Sequence, residues 1–568
     1  MKKRIAILGG GPSALFVYKR FVDAGQTDLE IHIYESKNLL GAGMPYSYQG
    51  SNNEHITNVS DNEIPEIVTS IGEWIQTVPD EALEGFTIDK TKFNEYKVLP
   101  RLLFGKYLAG QFDLLLKKAA DIGLETCVHT GCNVLDIIDK PTENAVDIAV
   151  ERLGLATFDQ VIVCTGHNWP NKHEGTTPGY FESPYPPSKL KLALNHPIAI
   201  RGSSLTAIDA IRTLARHNGS FEKDENGKVK FIPSDTSPDF RLVMHSRNGL
   251  LPAIRFHLED PLLSDEALLS EEEVAQNRSE NDGFLELDFM FEKAFKDLFR
   301  EKDPVFYERI KDMKMEEFVN SMMEVREKTE PFMLFRREYA EAEKSIRNEE
   351  SIHWKEILAV LSFAMNYPAK YMSAEDMQRM QKILMPLVSV VIAFVPQSSA
   401  DELLALDDAG RLEIITVGDD SRVDPENGGG VTYFYKDDNG EEQAVYYHTF
   451  VNCVGQPHLP FEAFPFKSLI TNGTVSPALL KFRSAETGSA AMEAGRDNVE
   501  QLANGDFYLR VPGIAINDNF QVLDHFGKGN QRIYIMAVPY IGGHNPDYSG
   551  LDFCEQASGT IVNNVLAD

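Results

Sequence analysis

The chain has 568 residues, too many for a single compact core, and its length suggests about three or four domain-sized units. Hydrophobic residues make up 43% and charged residues 25%, an ordinary globular composition that argues against a disordered or fibrous chain. With 55 Lys and Arg against 86 Asp and Glu, the formal net charge is −31; such a surface repels nucleic-acid backbones and anionic lipid, and no long basic patch offsets it.

Five cysteines, none in a Cys-x-x-Cys pair, exclude a disulfide framework, a dithiol redox motif and the usual zinc spacings. No metal site is expected. No apolar run approaches the length of a membrane span. Residues 1–4 followed by apolar residues imitate a signal peptide, but Gly9-Gly10-Gly11 interrupts the imitation. The start therefore reads as mature structure, and the expected compartment is the cytoplasm.

Residues 4–8 form a continuous apolar run, as a strand buried on both faces would. After the glycines, Leu15, Phe16, Val17, Phe21 and Val22 recur at helical spacing up to Gly25, and a second strand over 30–34 ends at Glu35. Another strand, 159–164, closes on Thr165-Gly166. Residues 197–201 open a second strand–turn–helix through Gly202, Ser203 and Ser204, and its next strand, 242–245, ends at Ser246-Arg247. No glycine lies between Gly283 and Gly410, and eleven of the 16 methionines fall between Met290 and Met385, so this stretch reads as helical, its methionines as core filler. Ser351 and Ser373 are expected helix caps there. Strands return over 413–417, 431–435, 444–447, 450–454 and 532–538, before a helix from Leu551.

Gly9-x-Gly11-x-x-Ala14 between a buried strand and a helix is a dinucleotide-binding turn. Gly9 permits the tight bend, Gly11 lets a pyrophosphate approach the backbone, and Ala14 lets helix and strand pack closely. Glu35, 24 residues after Gly11, is placed to accept hydrogen bonds from both ribose hydroxyls. Gly202-x-Ser204-x-x-Ala207 is a degraded copy. Arg247 at the end of its second strand suits a 2′-phosphate and so NADP rather than NAD. Ser204 either hydrogen-bonds the phosphate or weakens binding, and the unit either binds a nicotinamide cofactor or only keeps the fold.

These motifs, with Cys164-Thr165-Gly166 and Gly542-Gly543 … Ser549-Gly550-Leu551-Asp552, resemble the flavoproteins with two dinucleotide-binding domains. Gly41-Ala42-Gly43-Met44-Pro45-Tyr46, Ile56-Thr57-Asn58-Val59, Arg101 … Phe104-Gly105 and Ser246-Arg247-Asn248-Gly249 extend the likeness to the large bacterial FAD/NAD(P)-binding family, which is distantly similar to N-hydroxylating and other NADPH-dependent flavin monooxygenases. The resemblance covers residues 1–260 and 445–568 and leaves the helical stretch unmatched. It implies an α/β fold: a Rossmann-like FAD-binding domain with an inserted second dinucleotide-binding-like domain and an α-helical insertion. The expected extents are 1–190 and 448–568 for the FAD domain, 191–260 and 386–447 for the NAD(P)-binding-like domain, and 261–385 for the insertion.

The resemblance further implies FAD at Gly9, Gly11, Pro12, Ser13 and Glu35, with Thr165 and Gly166 near the flavin. Gly550, Leu551 and Asp552 would start a helix aimed at its ring. Tyr46 and Asn58 would lie beside the ring, and Arg101 among the cofactor-binding residues. NADP(H) would use Gly202, Ser203, Ser204, Ser246 and Arg247. No catalytic residue is assigned. His167 and Asn168 either line the substrate cleft or make loop hydrogen bonds; His544, Asn545, Asp547 and Tyr548 are further candidates. The expected activity is FAD-dependent oxidoreduction of a small molecule, hydride coming from NADPH and electrons going to dioxygen or an organic acceptor. The alternatives are a flavin oxidase or dehydrogenase with a vestigial nicotinamide domain, and a flavin-binding scaffold.

Overall fold

Two parallel sheets built to one plan organise the chain. A computed structural model describes residues 2–86, 88–258, 269–366, 368–456, 458–546 and 550–567. The first sheet has the strand order Gln521–Leu523, Gly529–Ile535, Gln160–Val163, Lys3–Leu8, Leu29–Glu35, Glu125–Thr130, and only its first pair is antiparallel. The second has the order Tyr180–Phe181, Thr449–Asn452, Pro197–Arg201, Arg241–Ser246, Leu412–Thr416, all parallel. In each sheet an interior strand leads into a helix, Pro12–Ala24 or Leu205–Asn218. In each, a three-stranded antiparallel meander immediately precedes the closing strand. Ile5, Ile7, Ile198 and Ile200 are fully buried, as strands covered on both faces require.

The two glycine turns are superimposable in their contacts. Gly9 has φ +108° and Gly202 φ +107°. A Cβ on Gly9 would lie 2.6 Å from the Cys164 carbonyl oxygen, and one on Gly202 would lie 2.8 Å from that of Cys453. Each turn therefore packs on the backbone that follows its closing strand, and only glycine fits. The second motif has kept this packing even where its sequence has drifted.

The expected junctions shift. Tyr180–Phe181 and Thr449–Asn452 both belong to the second sheet, so boundaries at 190/191 and 447/448 each cut off one of its strands. The closing strand must pair with the sheet's first strand, Ile198 opposite Thr449, and a two-residue strand carries no periodicity to read.

The described residues of 271–391 are helical apart from short connections. Met290, Met315, Met365, Met377 and Met380 are fully buried in their core. That core continues into an antiparallel sheet, Pro477–Lys481, Val499–Gln501 and Phe507–Ile514, through Ala478, Leu480 and Leu509. Ser373 caps Ala374–Arg379, accepting from the Asp376 N–H at 3.1 Å. Ser351 does not cap: Ile352 precedes the helix His353–Ala364, and the Ser351 hydroxyl donates to Glu356 at 2.6 Å.

The two ends of the chain meet. Helix Leu551–Ala567 packs along Pro12–Ala24, with Lys19 Nζ 3.2 Å from Glu555 and Lys3 Nζ donating to the Val565 carbonyl at 2.7 Å. Among the described residues no helix is long and apolar enough to cross a membrane.

Candidate functional site

The first sheet opens at its C-terminal edge on a cavity of about 880 Å³. At one end lies the Gly9-Gly10-Gly11 turn. No side chain caps the helix that follows, so its amide end and dipole face the cavity. A Cβ on Gly11 would approach Gly43 Cα to 3.3 Å, so this slot is kept open by missing side chains. The Glu35 carboxylate is fixed beside it, accepting from the Gly10 N–H at 2.7 Å, the Lys37 N–H at 2.8 Å and the Ser36 hydroxyl at 3.1 Å.

At the other end lie Tyr46, Asn58, Thr165 to Asn168 and the start of the C-terminal helix. Tyr46 is held edge-on against Phe104, ring centroids 4.8 Å apart. The Thr165 hydroxyl oxygen is buried with no hydrogen-bond partner among the described residues, a polar atom that folding leaves for a bound group. Burial pushes the Asp552 carboxyl up to about 7, and the nearby Glu63 charge adds to the rise. The glycine-walled slot, the fixed carboxylate and the orphaned hydroxyl together fit a long dinucleotide with a phosphate end and a polar-edged ring.

The sheet order, the glycine turn and the cavity frame the comparison with known proteins. A family model described as FAD-NAD(P)-binding matches residues 6–168. A second model, described as YdhS-like middle domain, matches residues 270–392, the helical segment. The uncharacterized protein YdhS of Escherichia coli (strain K12) is 27% identical over 475 residues, covering 82% of this chain and 86% of that protein. Among solved structures, the Kutzneria sp. 744 ornithine N-hydroxylase aligns with TM-score 0.46 and 11% identity over 100% of this chain and 99% of that one. The cadaverine monooxygenase DfoA of Erwinia amylovora aligns with TM-score 0.45 and 9% identity over 100% and 95%.

The cavity gathers Gly9, Gly11, Pro12, Ser13, Glu35, Tyr46, Asn58, Thr165, Gly166, Gly550, Leu551 and Asp552 in one lining, with His167 and Asn168. The Asn168 side chain also donates to the Tyr540 hydroxyl at 3.3 Å, a loop hydrogen bond of the kind expected. Arg101 is not in that lining. Its guanidinium donates to Asp209 Oδ2 at 2.5 Å and to the Ile56 carbonyl at 3.1 Å, so its charge is spent in the joint with the second unit. His544 is buried and its imidazole is held neutral, its pKa pushed down to about 4 by burial. Asp547, Tyr548 and Ser549 lie outside the described residues. Cys164 and Cys453 are buried, and burial pushes both thiols up.

The second motif lies apart. Gly202, Ser203, Ser204, Ser246 and Arg247 are absent from the cavity lining. The Ser203 hydroxyl lies 2.6 Å from the Leu250 carbonyl oxygen and 3.0 Å from Ser246 Oγ. Ser204 is exposed at the start of Leu205–Asn218. Arg247 is 73% exposed, with Asp419 at 3.7 Å.

Sequence reasoning missed Glu63 and Arg255, a buried ion pair beside the cavity, and the apolar residues Ala359, Phe363, Ile392 and Phe394 that wall it. Glu63 and Arg255 are 192 residues apart, and no local pattern links them.

Proposed function

We propose that the protein is an FAD-dependent oxidoreductase that takes hydride from NADPH and passes electrons to dioxygen, hydroxylating a small substrate, or to a small organic acceptor. The observation that carries this reading is the single cavity running from the glycine turn and Glu35 to the start of helix Leu551–Ala567. When bound, FAD supplies the two-electron redox chemistry. Gly9, Gly11, Pro12 and Ser13 bring backbone, not side chains, to the pyrophosphate. Glu35 accepts from the ribose hydroxyls. The Thr165 hydroxyl meets the ring's polar edge, and Tyr46, Asn58 and Gly166 shape its slot. The helix start at Gly550 and Leu551 turns its dipole toward negative charge there. Asp552, with its pKa near 7, holds or releases a proton at this end close to neutral pH. Gly202, Ser203, Ser204, Ser246 and Arg247 are the proposed NADPH site, the substrate is a small molecule, and the cytoplasm is the proposed compartment.

A second reading is favoured by Arg247, which stands in water beside Asp419, and by Ser203, whose hydroxyl is already engaged within the turn. In it the second unit keeps its fold but binds no nicotinamide. Anaerobic stopped-flow absorbance of the FAD-loaded protein separates the two. Rapid flavin bleaching by NADPH, slower with NADH, supports the first. A flavin that only a chemical reductant bleaches supports the second.

A further inference from the structure

The helical segment reaches the cavity with one apolar face. Ala359 and Phe363 are four residues apart on His353–Ala364 and so share a side of that helix. Ile392 and Phe394 follow the helix Met385–Val391, and their backbone is pinned to the second unit. Ala253 N–H donates to the Val390 carbonyl at 2.8 Å, Val395 N–H to Ala253 at 2.9 Å and Arg255 N–H to Val395 at 2.9 Å. The Arg255 side chain then crosses to the first unit. It pairs there with Glu63 and donates to the Ser60 hydroxyl oxygen at 2.7 Å and to the Asn58 carbonyl. Asn58 and Glu63 line the same cavity, and the Glu63 charge is felt at Asp552. The apolar face is thus fixed at the end where the C-terminal helix begins.

This end of the cavity offers no free cation among the described residues. Among the described residues lining the cavity, Lys37 is the single Lys or Arg, and it belongs to the Glu35 end. Arg255 is neutralised by Glu63. A carboxylate or phosphate on a substrate would meet Asp552 and the already paired Glu63 but no free Lys or Arg at this end, at the cost of its lost hydration.

We infer that Ala359, Phe363, Ile392 and Phe394 form the substrate wall of the cavity, and that it takes molecules with an apolar body and no carboxylate or phosphate. The inference rests on the proposed flavin chemistry. It makes the helical segment part of the reaction site, with the substrate held between this wall and the flavin.

The test titrates the FAD-loaded protein with the straight-chain alcohols from butanol to octanol and with the carboxylates of the same lengths, reading the difference spectrum of the bound flavin. For the alcohols each added methylene tightens binding about fourfold, the equivalent of ~0.8 kcal/mol per buried methylene. The carboxylates bind at least about tenfold more weakly. Phe363→Ala weakens octanol binding about tenfold, and Phe363→Leu restores most of it. A flat alcohol series, carboxylates that bind as tightly, or a Phe363→Ala series identical to the parent overturns the inference alone, provided NADPH still bleaches the flavin. A protein that takes up no FAD overturns the proposed function and this inference with it.

Discussion

Asp209→Ala tests how the two dinucleotide-type units are joined. Asp209, on the second unit's helix, is 5% exposed and accepts from Arg101 Nη1 at 2.5 Å and from the Tyr185 hydroxyl at 2.7 Å. His55, from the first unit, reaches the Thr213 hydroxyl at 3.1 Å on the same helix. Truncation leaves the Arg101 guanidinium, 16% exposed, without its counter-charge. Breaking a buried pair from one side costs about 3–5 kcal/mol. For a unit of this size that lowers the thermal midpoint by roughly 10 °C. Burial alone would raise the Asp209 carboxyl, but Arg101 and His55 outweigh it and hold it below the usual range. The group therefore stabilises the fold above its ordinary value of about 4 and loses that effect as pH falls through the lowered one. Calorimetry from neutral to acid pH should show a large gap between parent and variant at neutral pH that closes in acid. The double variant Arg101→Met, Asp209→Leu should recover most of the loss. FAD content should not change, because Arg101 lies outside the cavity lining. An Asp209→Ala protein within about 1 kcal/mol of the parent at pH 7, as for an exposed pair, would refute the reasoning.

The paired glycines give a sharp contrast. Gly9→Ala and Gly202→Ala each add a Cβ against a carbonyl oxygen at strongly positive φ, and should lower stability alike, by about 1–3 kcal/mol or more; only Gly9→Ala should also lose FAD, read by flavin absorbance per chain. Glu35→Ala removes the carboxylate that anchors Gly10 and faces the ribose, and should weaken FAD binding about tenfold or more by equilibrium dialysis. In flavin-depleted protein Asp552 should destabilise the fold as pH rises from about 4 to 7, because its folded pKa is raised; Asp552→Asn should remove that slope from denaturation curves measured across the range.

Much of this architecture is legible because its signals are local. The buried strand of residues 5–8, the glycine turn and Glu35 fall within the first 35 residues, and the chemistry of each is dictated by its neighbours in sequence. The helical segment declares itself by lacking glycine and by its methionines, most of which fill a core. Arg101 was misread because its partner, Asp209, lies 108 residues away on a helix whose facing side the sequence does not specify. Phe363 and Phe394 were missed because an apolar residue lining a cavity has the same pattern as one filling a core. The sheet of Pro477–Lys481 with Phe507–Ile514 shares its core with helices about a hundred residues earlier, a contact set by tertiary packing alone.

The most direct test is the ligand carried by the purified protein. Heat release followed by chromatography should yield one FAD per chain, and protein stripped of it should regain the same amount on adding FAD but not FMN. A colourless protein that takes up no FAD would contradict the account at its base.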